Sequence, residues 1–152
     1  MLQKKYGTNT LAATHIRLGV GIILYNANGI LYELRSDCKQ WGIIGGGVEI
    51  GEEVEDALIR EIKEETSLMV FKENLNLLGV YSNPNQFRII EYPDSIFHAI
   101  DLIYYTKIPD KIKLISNQES LELRIFSFRS QPQNIVPPAK DPITDFLNLK
   151  MF

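Results

Sequence analysis

Residues 43–68 read IIGGGVEIGEEVEDALIREIKEETSL: two isoleucines, three glycines and then a segment rich in charge. Apolar residues recur at helical spacing over residues 52–66, which predicts an α-helix. The run just before the glycines, residues 41–44, is short and apolar, which predicts a β-strand. The stretch therefore predicts a strand, a loop at Gly45-Gly46-Gly47 and a helix, in that order.

One side of the predicted helix carries carboxylates together with apolar residues. Each helical residue rotates by about 100°, which places Glu61, Glu64 and Glu65 inside or at the edge of the apolar arc. That arc consists of Val54, Ala57, Leu58 and Ile62. Three such carboxylates repel one another and resist desolvation unless a cation compensates them. Oxygen ligands of this kind suit Mg²⁺ or Mn²⁺. The alternative is an ordinary solvated face, paired with Arg60 and Lys63.

The rest of the chain predicts further strands and a second helix. The other predicted strands are residues 18–24, 30–34, 75–81, 95–106 and 121–128. The first two of these flank Asn26-Ala27-Asn28-Gly29, which has turn chemistry and predicts a β-hairpin. Residues 83–94 contain two prolines and are a candidate substrate loop. Four prolines after residue 130 predict irregular chain before a short helix from about residue 143 to 149. Strands with two separated helices suggest a layered α/β domain.

Composition narrows the class of protein. The chain has 152 residues, of which 45% are hydrophobic and 23% charged, as expected for a single globular domain over residues 1–152. The net charge of about -3 offers no basic field for nucleic acid, so none is expected as a partner. The lone Cys38 and the lack of a membrane-spanning apolar run predict a soluble cytoplasmic protein.

A fixed spacing of glycine and charged residues runs through residues 46–68. It consists of Gly46, five residues, Glu52, seven residues, Arg60-Glu61-Ile62, one residue, Glu64-Glu65, one residue and Ser67-Leu68. This spacing resembles the Nudix box, and the chain is identified as a member of the MutT-like Nudix hydrolase family. The family has a glycine where Ser67 stands and frequently a proline where Ile44 stands. In place of a glycine in a left-handed helix cap, Ser67 would cost about 1 kcal/mol or force a different helix exit.

The resemblance implies a fold and an activity. The fold would be an α/β/α sandwich around a central mixed β-sheet. The activity would be hydrolysis of a diphosphate linkage in a nucleoside diphosphate derivative, such as a nucleoside triphosphate, an oxidised nucleotide or an ADP-ribose-like compound. The cofactor would be Mg²⁺, with Mn²⁺ as an alternative ion, and a homodimer is reasonable by analogy. The alternative function is a catalytically weak Nudix-fold module that binds nucleotide or regulates another protein.

The resemblance also implies roles for the residues of the box. Glu61 and Glu65 would be the main metal ligands, with Glu64 as a further ligand or bridge and the Gly45 carbonyl as a backbone ligand. Glu52 would help to order the site. Arg60 would hold the glutamates through charge-assisted hydrogen bonds.

Outside the box, four residues are candidates by analogy or position. Family members often draw a carboxylate from a loop after the middle strands, and Glu119 is the candidate for that metal or base role, with Glu122 as its rival. Tyr92 is a candidate for stacking on a base, although packing within the loop is the alternative. Arg35 is a candidate for contacting a phosphate, and a solvated arginine is equally consistent with the sequence.

A dinucleotide-binding Rossmann domain is the competing interpretation of the strand, glycines and helix. Its fingerprint requires a third glycine three residues after the second. Counted from Gly47 that position is Ile50, and Gly51 comes one residue late. The spacing therefore argues against it.

Overall fold

The computed structural model describes residues 5–7, 12–115 and 120–149. The strands of these parts are β1 Lys5–Gly7, β2 His15–Asn26, β3 Gly29–Arg35, β4 Trp41–Gly42, β5 Ile44–Gly47, β6 Asn76–Tyr81, β7 Ile89–Tyr92, β8 Ser95–Lys107 and β9 Ser120–Phe126. The α-helices are α1 Val54–Thr66 and α2 Pro137–Leu147.

The strands form one mixed sheet around β2 and β8. These two long strands run parallel, in register from the pair His15 and Phe97 to the pair Tyr25 and Lys107. A parallel pair needs a long crossover connection, and the chain between them contains α1. The remaining pairings are antiparallel: β1 with β7, β2 with β3 and β5, β3 with β4 and β9, and β8 with β6 and β7. The predicted mixed sheet is confirmed.

The two helices cover opposite faces of this sheet. Side chains alternate between the faces along a strand, and in β2 the residues Ile22 and Leu24 pack with α1 whereas Ile23 packs with α2. The buried residues of α1 in that contact are Ala57, Leu58 and Ile62. Those of α2 are Ala139, Ile143 and Phe146. The result is the α/β/α sandwich that the resemblance implied.

The predicted hairpin joins β2 to β3. Asn26 pairs with Gly29, and the Asn28 N–H donates to Asn26 Oδ1 at 2.8 Å. Gly29 has a φ of 142°, and a Cβ there would collide with the carbonyl oxygen of Phe126. Glycine is required at that turn by both its dihedral angle and its close contact with β9.

The predicted glycine loop is wrong, because the three glycines form most of strand β5. Gly45 pairs with Gly21 and Gly46 with Val20. The strand β2 begins at His15, three residues before the predicted start, and so offers a longer edge to pair with. A Cβ at Gly45 would collide with the Val20 carbonyl oxygen, so glycine is needed there for a close strand contact. The loop lies after the glycines, at residues 48–53.

Part of the predicted substrate loop is a strand as well. Residues 89–92 form β7, which pairs with β8 from Ile89 opposite His98 to Tyr92 opposite Ser95. The intervening Pro93 and Asp94 make a tight turn, so this proline lies outside the strand and removes no ladder hydrogen bond. Within the predicted loop, only residues 83–88 and the turn at Pro93-Asp94 lie outside a strand.

The second helix begins earlier than predicted, at Pro137 rather than near residue 143. Prolines are tolerated in a first helical turn because the N–H they lack has no partner there. Pro142, further inside, cannot donate to the carbonyl of Pro138. That carbonyl instead accepts a hydrogen bond from Arg88 Nη2 at 2.9 Å, which compensates the helix for its missing bond.

Helix α1 ends at a non-glycine residue in the left-handed conformation. Ser67 has φ 64° and ψ 9°, and its N–H donates to the Lys63 carbonyl at 2.9 Å. The substitution at the family's glycine position therefore keeps the usual helix exit and carries its conformational cost. Within the described residues, neither helix is long and apolar enough to cross a membrane.

Candidate active site

The glycines of β5 bring bare backbone against the carboxylates of α1. A Cβ at Gly46 would collide with the carboxylate of Glu61. The N–H of Gly45 donates to Glu65 Oε2 at 3.2 Å. Because no side chain intervenes, both glutamates of the helix reach the strand directly. This contact explains why glycines rather than other strand-forming residues stand here.

Arg60 forms ion pairs with the more exposed acidic side chains of the box. Its Nε lies 2.7 Å from Glu52 Oε2, and its Nη1 lies 2.9 Å from Glu61 Oε1 and 3.5 Å from Glu64 Oε2. Its Nη2 donates to the Gly47 carbonyl at 3.1 Å. These hydrogen bonds hold the pKa of Glu52 down at about 2. The structure thus brings Arg60 together with three of the four glutamates of the box to which the resemblance gave roles, and Glu65 is not among its ion-pair partners.

Glu65 lies in a different electrostatic environment, almost fully buried at 6% exposure. Burial, and then the nearby charges of Glu33 and Glu61, raise its pKa to about 9. Glu33 is itself 3% exposed. It accepts a hydrogen bond from Ser120 Oγ at 2.7 Å and lies 3.4 Å from Arg35 Nη1. Two buried carboxylates beside a third are costly without a compensating cation.

The donor set fits a hard divalent cation only when other oxygens complete it. Glu61 and Glu65 line the same cavity, whereas the side chain of Glu64 is 56% exposed and does not line it. Among the residues that the structure describes, no three acidic, histidine or cysteine side chains stand close enough to hold a metal ion by themselves. Mg²⁺ is ordinarily bound by one or two carboxylates together with waters and substrate phosphates. A pair of carboxylates beside a bare glycine backbone meets that requirement.

A cavity of about 370 Å³ opens beside these carboxylates. This volume is at the lower end of the range of about 300–1,000 Å³ typical of ligand sites. Both predicted substrate residues line it. Arg35 is one-third exposed and paired with Asp37 at 2.9 Å, and Tyr92 stacks on Phe97 with ring centroids 5.8 Å apart.

Several residues of the cavity were not predicted. They are Tyr6, Arg17, Phe97 and Asp101, together with Arg88, which was predicted only as part of the substrate loop. Glu33 was not predicted either, and it stands beside Glu65 without lining the cavity. Alternation along strands would have found some of them, because Phe97, Ala99 and Asp101 share one face of β8. Glu33 also carried a signal, since it is a lone acid inside the apolar run of β3. Arg88 falls within the predicted substrate loop, but no local pattern predicts its burial, which depends on Asp101 at 3.2 Å and on the carbonyl of Pro138.

The predicted loop carboxylate, Glu119, lies outside the described residues and stays a prediction. Its rival Glu122 lies on β9, paired with Arg124 at 2.6 Å, and does not line the cavity.

The fold is similar to that of solved structures of MutT and NUDIX proteins. A crystal structure of a MutT/nudix family protein from Enterococcus faecalis superposes with a TM-score of 0.72 at 20% identity, covering 88% of this chain and 61% of that chain. The family model of the NUDIX domain matches residues 15–146. The chain therefore belongs to the NUDIX domain family, as its sequence predicted.

Two relatives show how far the likeness extends. A protein of Methanocaldococcus jannaschii named ADP-ribose pyrophosphatase is 35% identical over 89 residues, 59% of this chain and 47% of its own length. Nucleoside triphosphatase NudI of Escherichia fergusonii is 38% identical over 65 residues, 43% of this chain and 44% of its own length. The matched regions thus span about half the length of these relatives.

Proposed function

We propose that this chain is a hydrolase that cleaves a diphosphate linkage in a nucleoside diphosphate derivative, with Mg²⁺ as cofactor and Mn²⁺ able to replace it. The observation that carries the proposal is the buried carboxylate of Glu65. Its pKa is raised to about 9 because burial and two neighbouring carboxylates disfavour its charge. A divalent cation at this point would offset that cost, and perturbed carboxylates of this kind are typical of functional sites.

Glu61, Glu65 and the carbonyl of Gly45 would hold the ion, with Glu64 at the edge of the set. When bound, such an ion supplies charge stabilisation to a phosphate under attack by water. Arg60 contributes by fixing the directions of Glu52 and Glu61 through charge-assisted hydrogen bonds. Family resemblance leaves Glu119 as the candidate for a further metal ligand or the general base.

The other end of the cavity supports a nucleotide as the ligand. Tyr92, which is half-buried and stacks on the buried Phe97, offers an aromatic ring on which a base can lie. Arg17, Arg35 and Arg88 line the same cavity and give it guanidinium groups that can bind phosphates, although Arg35 and Arg88 are each paired with an aspartate. The named activities of the two relatives, on ADP-ribose and on nucleoside triphosphates, are consistent with this class of small-molecule substrate. Such a small-molecule substrate does not require the basic protein surface that nucleic acid would need.

A second candidate function has an observation in its favour. Because Glu64 is more than half exposed and the described residues do not enclose an ion alone, the chain also fits a module that binds nucleotide and cleaves it weakly. Intact Glu61, Glu64 and Glu65 favour the hydrolase.

The two functions separate in a substrate panel. The purified chain is incubated with nucleoside triphosphates, oxidised nucleotides, ADP-ribose, dinucleoside polyphosphates and nucleotide sugars, with Mg²⁺, with Mn²⁺ or with chelator, and the products are identified by chromatography. The hydrolase predicts a nucleoside monophosphate product from at least one class, lost with chelator and regained with either ion. If no class is cleaved while a nucleotide still raises the melting temperature, the binding module is the correct function.

A further inference from the structure

Arg17 differs from the other arginines of the cavity in having no acidic partner among the described residues. Arg35 is paired with Asp37 at 2.9 Å, and Arg88 with Asp101 at 3.2 Å. Arg17 also lines the cavity, but its side chain forms no ion pair within the parts of the chain that the structure describes. Its positive charge is therefore available to a ligand.

The guanidinium of Arg17 is held in place by an aromatic row. It lies over the ring of Phe97, 5.3 Å from the ring centroid, and Phe97 stacks in turn on Tyr92. The three side chains come from neighbouring strands, β2, β8 and β7. Stacking on one face leaves the N–H groups at the edge of the guanidinium free to donate, and it reduces the conformational freedom lost when a ligand binds.

On its other side, Arg17 faces the glycine strand. A Cβ at Gly47 would lie 3.6 Å from Arg17 Nη2, and at the preceding residue, Gly46, a Cβ would meet the carboxylate of Glu61. Arg17 thus stands between the aromatic row and the strand that carries the acidic end of the site. A nucleotide with its base on Tyr92 and its distal phosphates near Glu61 would place the phosphate nearest the nucleoside beside this guanidinium.

We propose that Arg17 binds the phosphate attached to the nucleoside and thereby determines which end of the substrate occupies the cavity. The base would lie on Tyr92, whose ring is supported by the buried Phe97, and the leaving group would extend beyond the carboxylates. A planar guanidinium suits this position because it donates two parallel hydrogen bonds to phosphate oxygens. The inference rests on the proposed function, since it assumes that the ligand of this cavity is a nucleotide.

The test measures binding and not turnover. Isothermal titration calorimetry is carried out with AMP, GMP, CMP and UMP, and separately with inorganic pyrophosphate, on the wild type and on Arg17→Ala. At least one nucleoside monophosphate should bind the wild type, and Arg17→Ala should weaken it about ten-fold or more, as expected for the loss of charge-assisted hydrogen bonds. Pyrophosphate, which has no nucleoside, should bind both proteins within about two-fold.

Arg124 provides a matched control. It too stacks on aromatic rings, with its guanidinium 5.2 Å from the centroid of Trp41, but it is paired with Glu122 and lies outside the cavity. Arg124→Ala should therefore bind the monophosphate as the wild type does. Arg17→Lys, which keeps the charge and loses the planar fork, should fall between the wild type and Arg17→Ala.

Three outcomes would overturn the inference: no monophosphate binds the wild type, Arg17→Ala binds it with unchanged affinity, or pyrophosphate binding weakens to the same extent. The last result would assign Arg17 to the distal phosphates. Failure of the proposed function has a different signature, because a chain that cleaves nothing in the substrate panel would still show Arg17-dependent monophosphate binding. Since Arg17 is exposed, the melting temperature of each variant should match that of the wild type.

Discussion

Two groups of glutamates meet at helix α1 and differ in how their charges are compensated. The group around Arg60 joins Glu52, Glu61 and Glu64 to one guanidinium, and the pKa of Glu52 is lowered to about 2. In the second group, Glu65 is buried beside Glu33 and Glu61, and its pKa is raised to about 9. Hydrogen bonds with an arginine thus stabilise the first group as charged. In the second group Arg35 lies 3.4 Å from Glu33, but Glu65 itself forms no ion pair with any residue that the structure describes.

The two groups therefore have different roles, although both include residues of α1. Arg60 connects the loop before the helix to its carboxylate face, through Glu52 and the carbonyl of Gly47, so its group orients the site. The buried group is where an external cation would relieve the most unfavourable electrostatics. Glu61 belongs to both groups, because it is paired with Arg60 and also lies near Glu65.

The largest expected effect comes from the buried group. Glu65→Gln should lower kcat by about 100-fold or more, since it removes a metal ligand or base while keeping the size of the side chain. Circular dichroism should show an unchanged fold. Glu73→Gln, at an exposed glutamate away from the cavity, is the control and should leave kcat unaltered. Turnover of Glu65→Gln within about two-fold of the wild type would show that the buried group is not the reactive one.

A substitution in the group around Arg60 should lower kcat less than Glu65→Gln does. Arg60→Ala frees the carboxylates of Glu52 and Glu61, and groups that orient metal ligands typically contribute about 10–100-fold. Steady-state kinetics should therefore place Arg60→Ala between the wild type and Glu65→Gln. If its loss equals or exceeds that of Glu65→Gln, the proposed division between the two groups is wrong.

The two groups also predict opposite pH dependences of stability. Glu52 has a folded pKa of about 2, below its ordinary 4.5, so its contribution is present above pH 4.5 and is lost as the pH falls toward 2. Glu65 has a folded pKa of about 9, above its ordinary 4.5. As the pH rises, the unfolded chain therefore releases the Glu65 proton at a lower pH than the folded chain does. In chelator, the free energy of unfolding should consequently fall as the pH rises from about 4.5 to 9.

Urea denaturation at a series of pH values checks these signs. Glu65→Gln should flatten the decline above pH 4.5 and leave the acid limb intact, and Glu52→Gln should do the reverse. Identical pH profiles for the wild type and Glu65→Gln would mean that Glu65 titrates normally in the folded protein.

The smallest effect is expected outside both groups, at the end of α1. Ser67→Gly removes the cost of a left-handed non-glycine residue, at φ 64°, and should stabilise the protein by about 1 kcal/mol. For a chain of this size, that corresponds to a rise in melting temperature of about 2–4 °C. Calorimetry provides the measurement, and kcat should not change. A lower melting temperature would show that the Ser67 side chain stabilises the helix end.

The sequence predicted best where local patterns and tertiary structure agree. The hairpin at Asn26 to Gly29 and the extent of α1 follow from turn chemistry and helical periodicity. The glycines of β5 were assigned to a loop because nothing local shows that β2 extends to His15 and pairs with them. Likewise, the start of α2 at Pro137 depends on Arg88 replacing a lost helical hydrogen bond, which is a contact 50 residues away in sequence.

At the candidate site too, the sequence did not predict features that depend on tertiary structure. The box predicts which glutamates share a helix face, but only the fold distinguishes the exposed Glu64 from the buried Glu65. Glu33 comes from another strand, and its effect on Glu65 requires the packing of β3 beside α1. Burial and proximity between distant segments thus account for most of what the sequence did not predict.

The most direct test of the account is the binding of Mn²⁺ to the buried group. Isothermal titration calorimetry compares the wild type with Glu65→Gln and with the control Glu73→Gln. If Glu65 is a metal ligand, the wild type and the control bind Mn²⁺ equally well, and Glu65→Gln binds it about ten-fold more weakly or worse. Equal affinity of all three proteins for Mn²⁺ would contradict the assignment of Glu65 to a cation site.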